Sequence, residues 1–201
     1  MGLIESNVGK RKKVINGLLS ANVTDETLES LTTLQNEIGI SFSTKVTAIT
    51  SINDDELAAA FAKAYADTFS NNGLRTLIID ANLYNPLFAK LVKGNKKNEQ
   101  QHISIDTQTS AICFEKDVYP SVFFKKGLIQ KTIKENSTIY DRFVVLVPSI
   151  KEHKEVVLLS DILTSVILVT QKNVTKKEYI YCAIQYCSEN NLPLAKTIII
   201  K

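Results

Sequence analysis

Lys45–Pro86, KVTAITSINDDELAAAFAKAYADTFSNNGLRTLIIDANLYNP, decides how the rest of the chain folds. Its apolar opening, Lys45–Thr50, predicts a buried strand, Ser51–Asn53 a tight turn, and Asp54–Ser70 a helix that Asn71–Gly73 brings to a stop. Arg75–Asp80 predicts a second strand. A strand, helix and strand of these lengths make one βαβ unit, with parallel strands and a right-handed crossover. Units of this kind build open α/β sheets whose ligand sites lie at the carboxyl ends of the strands.

Working outward, 201 residues at 44% hydrophobic and 22% charged suffice for one well-buried α/β domain, with residues 1–23 as a basic N-terminal arm and 24–201 as the domain. A net charge of +3 is too mild to imply nucleic acid, and no apolar run reaches the roughly 20 residues of a membrane span. The first residues lack the apolar core of a signal peptide. Cys113, Cys182 and Cys187 fit a reducing cytoplasm and read as core or partly buried thiols. His102 and His153 have no ligand-spaced neighbours and read as surface residues, so no metal site is expected.

The central stretch resembles the P-loop ATPase domain of the bacterial tyrosine kinases of capsule and exopolysaccharide synthesis, a branch of the MinD/ParA-like ATPases. In that family Thr-Ser leads into Pro-Gly-Glu-Gly-Lys-Ser-Thr, a helix, a Gly-Lys-Arg turn and Leu-Ile-Asp-Ala-Asp-Leu-Arg-x-Pro. Thr50, Ser51, Glu56, Gly73, Arg75, Ile79, Asp80, Ala81, Leu83 and Pro86 match without a gap. Asp54 replaces the Pro, Asp55 and Leu57 the two Gly, Ala58 the phosphate-binding Lys, and Ala59-Ala60 the Ser-Thr. Further on, Tyr140-Asp141 to Pro148 resembles Tyr-Asp-x-Val-Ile-Ile-Asp-Thr-Pro-Pro, with Leu146 in place of the Walker B aspartate. Asn82 and Tyr84 replace the second Asp and the Arg of the other acidic motif.

A P-loop holds phosphate on backbone N–H groups that glycines leave accessible, with a Lys on the terminal phosphates and a hydroxyl on Mg²⁺. Here Ala58 carries no charge and Ala59 no metal ligand, while Asp54, Asp55 and Glu56 supply carboxylates that complement the helix dipole themselves. Asp80 alone holds Mg²⁺ poorly without phosphate oxygens. Leu146 removes a further carboxylate from the metal shell.

The remaining segments complete the outline. Thr24–Ile40 predicts an amphipathic helix; there Glu29, Leu34 and Ile38 match the family's ring-forming segment, but Thr32 and Gln35 replace its arginines. The polar run between Lys93 and Gln101 predicts an exposed loop. One or two short strands are expected within Ile103–Phe114, a helix over Lys125–Asn136, a strand over Phe143–Val147 and a short helix over Glu155–Asp161. Ser165–Thr170 and Thr197–Ile200 predict strands flanking a helix over Thr175–Asn190, on which Tyr179, Tyr181 and Tyr186 read as packing and surface residues.

The resemblance implies a three-layer α/β/α domain of the P-loop NTPase class with a mostly parallel sheet. Its substitutions imply an inactive ATPase and kinase relative that needs no cofactor and serves as a cytoplasmic protein partner or regulator in polysaccharide synthesis. The expected partner is a transmembrane chain-length regulator or an active kinase copy. Lys10–Lys13 reads as part of a solvated flexible arm, with an anionic membrane surface or a partner's cytoplasmic tail as the alternative. Two alternatives stand beside this: an ATP-binding protein-tyrosine kinase with an unusual site, and a MinD/ParA-like positioning or regulatory protein.

Overall fold

The computed structural model describes residues 46–91, 100–114, 119–125 and 127–200; the Lys10–Lys13 run and the Thr24–Ile40 helix expectation lie outside them. Strand β1 is Val46–Ser51, buried along its whole length, as befits a parallel strand covered on both faces. Helix α1, Asp55–Ser70, follows with Asp54 as its N-cap in extended geometry. Its run of alanines favours helix and lets the backbone lie close to the sheet, so that most of Leu57–Thr68 is buried. Gly73 ends the connection at φ +75°, a left-handed conformation that costs a residue without Cβ little. Strand β2, Thr76–Asp80, completes the predicted βαβ unit.

The other strands are β3, Gln100–Ser104; β4, Thr109–Phe114; β5, Arg142–Leu146; β6, Ser165–Gln171; and β7, Leu194–Ile200. They form one seven-stranded sheet in the order β3-β4-β2-β5-β1-β6-β7, parallel except for the β3/β4 hairpin. The strand order reverses at β1, which has β5 on one side and β6 on the other, the switch point where open α/β sheets form their crevice. Core residues of α1 cover one face of the sheet. The opposite face is covered by α2, Pro120–Lys125, α3, Leu128–Asn136, the 3-10 turn Glu155–Leu159 and α4, Lys177–Glu189. The result is the expected three-layer sandwich.

Local boundaries depart from expectation in several places. The helix expected over Lys125–Asn136 is α3 and starts only at Leu128, because Gly127 sits at φ +66°; α2, which precedes it, was not expected. The polar run expected to be loop up to Gln101 already contains the start of β3, which pairs antiparallel with β4. Asp106 accepts the amides of Gln108 and Thr109, both at 2.7 Å, and so closes that hairpin. The short helix expected over Glu155–Asp161 is a 3-10 turn that ends at Leu159, and β7 begins three residues earlier than expected. Cys113 and Cys187 are buried thiols as anticipated, whereas Cys182 is exposed on α4. No helix among the described residues is long and apolar enough to cross a membrane.

Candidate functional site

The turn between β1 and α1 lies at the switch point, and its polar groups are consumed by one another and by neighbouring segments. Ser51 Oγ accepts the Asp54 amide at 3.0 Å, and the Asp54 carboxylate accepts the Leu57 amide at 2.9 Å. That second bond satisfies one of the free N–H groups that open any helix. Asp55 turns the other way: its Oδ1 accepts the backbone N–H of Ser149, 3.0 Å away in the segment after β5. Ser149 Oγ donates in turn to the carbonyl of Ile52.

More bonds anchor the same turn. Thr50 Oγ1 donates to the Pro148 carbonyl at 2.8 Å, the Ile150 amide to the Ser51 carbonyl at 2.9 Å, and the Ile52 amide to the Val169 carbonyl at 3.3 Å. Thr175 Oγ1 donates to Asn53 Oδ1 at 3.1 Å. The turn is thereby tied to the ends of β5 and β6 and to the approach to α4. Glu56 stands exposed in the first turn, while Leu57, Ala58 and Ala59 are buried in the α1 core, Ala58 with no exposed surface.

Ser149 went unnoticed as a partner in the sequence. The resemblance places a proline there, and proline has no N–H to give. The signal was a pair of departures from the pattern of the resemblance, an acceptor at Asp55 and a donor at Ser149, 94 positions apart.

Asp80 ends β2 and is fully buried. Its carboxyl group accepts the amides of Phe88, at 2.9 Å, and Asn82, at 3.3 Å, so it pins the loop that follows. Burial pushes Asp80 up to about 7; the amides of Phe88, Asn82 and Leu87 oppose that rise, and the nearby Asp55 charge adds to it. Its register neighbour Cys113 on β4 is also held protonated, first by burial and then by Asp80. Asn82 accepts the Asn85 amide through Oδ1 at 3.1 Å, while its buried Nδ2 has no acceptor among the described residues. Leu146 lies in register with both Ile49 and Asp80, wholly buried in the sheet.

The loop after β2 is clasped to the segment after β5. Tyr84 donates its hydroxyl to Glu155, and its ring stacks on His153 with centroids 3.6 Å apart and planes 16° from parallel. Burial, followed by the Glu155 hydrogen bond, raises Tyr84 to about 12. His153 is therefore half-buried against a ring rather than a plain surface residue, as the sequence suggested. Asp54, Asp55, Asp80, Asn82 and Leu146, separate in sequence, are gathered at the carboxyl ends of β1, β2 and β5.

No protein-family model and no curated protein sequence matches this chain. Solved structures do. The kinase domain of the Escherichia coli tyrosine kinase ETK superposes with a TM-score of 0.70 at 15% identity, covering 87% of this chain and 75% of that one. The VpsO kinase domain gives 0.67 at 20% identity over 88% and 98%. A ParA family ATPase from Chlorobium tepidum TLS gives 0.58 at 15% identity over 79% and 73%. At these identities the common property is the fold, and it is the P-loop ATPase fold that the central stretch implied.

Proposed function

We propose that this chain is a catalytically inactive relative of the P-loop tyrosine kinases, acting as a non-catalytic protein partner or regulator in capsular or exopolysaccharide synthesis at the cytoplasmic side of the membrane. The observation that carries the reading is the Asp55 to Ser149 bond across the switch point. A nucleotide seated there needs backbone N–H groups turned toward phosphate, a lysine beside them and a hydroxyl for Mg²⁺. The residues present do not fit that group: the Leu57 amide is taken by Asp54, the lysine position is the buried Ala58, and acidic side chains stand where phosphate oxygens would come. Asp54, Asp55, Glu56, Leu57, Ala58, Ala59, Asp80, Asn82 and Leu146 are in this reading the positions of a nucleotide site that has lost its chemistry. In this reading residues 24–201 are the domain and 1–23 a basic N-terminal arm. The link to polysaccharide synthesis rests on the sequence resemblance, and the partner it suggests is a transmembrane chain-length regulator or an active kinase copy.

Thermal unfolding with and without Mg·ATP tests the loss directly. A ligand at a hundred times its Kd stabilises by roughly 2.7 kcal/mol, so an unchanged melting temperature in millimolar Mg·ATP is the expected result. Ala58→Lys alone is expected to leave it unchanged as well, since the acidic turn remains. A clear upward shift in the unmodified chain would restore the ATP-binding kinase reading.

A further inference from the structure

Strand β7 is the outer strand beside β6, and no strand pairs with its other side among the described residues. Edge strands are ordinarily blunted by charge, proline or a bulge, because their open N–H and C=O groups template further strands. The opposite edge, β3, is the polar QQHIS. By contrast β7 reads LAKTIII, with one charge and three consecutive isoleucines, and its only register shift falls near its start. Ile198 and Ile200 belong to the core on the α1 side, so strand alternation turns Ile199 toward the α4 side, where it is 57% exposed.

Helix α4 adds to the same edge. Ile180, Ala183 and Cys187 face the core, while Tyr179 and Tyr186 carry the ammonium groups of Lys151 and Lys154, each 4.2 Å from a ring centroid. Those lysines follow β5, toward the middle of the sheet, so this flank of α4 looks inward. The other flank, Lys177, Tyr181, Ile184 and Ser188 at helical spacing, therefore looks out over β7, with Tyr181 70% and Ile184 37% exposed.

We infer that this face joins two copies of the chain about a twofold axis normal to the sheet, with β7 pairing antiparallel to β7. A lone extended peptide would cover the strand and leave Tyr181 and Ile184 wet; a second copy covers both, because each element meets itself. The spacing fits. A helix crossing over β6 and β7 and its symmetry mate lie two strand spacings apart, about 10 Å, which is the distance at which helices pack. Antiparallel α4 helices then set Tyr181 against Ile184 of the second copy and bring Lys177 to the negative carboxyl end of the facing helix. The inference stands independently of whether the crevice binds nucleotide.

Sedimentation equilibrium of the full chain tests it, with Ile199→Lys on the strand and Ile184→Glu on the helix, each checked for fold by circular dichroism. The expected result is a dimer whose Kd rises at least about tenfold in either variant. Lys177→Glu, at an exposed position, provides a third arm that keeps the fold should either apolar change unfold the chain, and it too is expected to weaken the dimer. A monomer at all concentrations overturns the inference. So does a dimer whose Kd none of the folded variants moves.

Discussion

Asp80 shows how a carboxyl group at a strand end can serve the structure. The carboxyl group is buried at a strand end and holds two amides of the following loop, so its deletion would release that loop as well as a charge. Because its folded-state pKa is raised to about 7, the folded chain keeps a proton that the unfolded chain has already lost. The contribution is fully present below about pH 4, where both states are protonated, and disappears as pH rises toward 7. Urea midpoints measured from pH 4 to pH 8 should therefore fall more steeply for the wild type than for Asp80→Asn, by at most about 1.4 kcal/mol per pH unit. Identical slopes would show that Asp80 ionises normally. Asp55 supports a second residue-scale expectation: Asp55→Ala strands the buried Ser149 N–H and should cost about 1–3 kcal/mol, while Asp55→Asn keeps an acceptor and should cost less. Equal losses in the two variants would remove the bond from the account.

Among the elements, α1 was legible because its signals agree: an acidic N-cap, an alanine-rich body and a glycine stop. The start of α3 was not, because Lys125–Asn136 carries a helical pattern straight through Gly127, and α2 before it had no expected helix. There only the packing of Phe123 and Phe124 against the core on one side, and of Ile129 on the other, requires the chain to turn. Gly127→Ala should lower stability by about 1 kcal/mol, since φ +66° strains any residue with a Cβ while no neighbour crowds the added methyl. A thermal midpoint equal to wild type would mean the two helices can fuse without cost. The start of β3 was missed for a related reason: QQHIS has no apolar alternation and becomes a strand only by pairing with β4.

For the molecule as a whole, the sheet is most fully covered in its middle, where β1 and β5 are buried along their whole length and paired on both sides. Native-state hydrogen exchange should accordingly be slowest in β1 and β5 and distinctly faster in β3, an edge strand paired on one side only. Comparable protection in β3 would point to a neighbour covering that edge. The same accounting explains why the two loops at the carboxyl end act together: Tyr84, His153 and Glu155 clasp the segment after β2 to that after β5. From the sequence alone came the βαβ frame, because local periodicity needs no neighbours to be read, and, through the resemblance, the expectation of a parallel three-layer class with lysine, hydroxyl and second carboxylate missing from the motif positions. Only the tertiary structure decided where the new groups point. Asp55 meets Ser149 and Asp80 secures Phe88, since such meetings depend on strand order and register, which pair residues far apart along the chain.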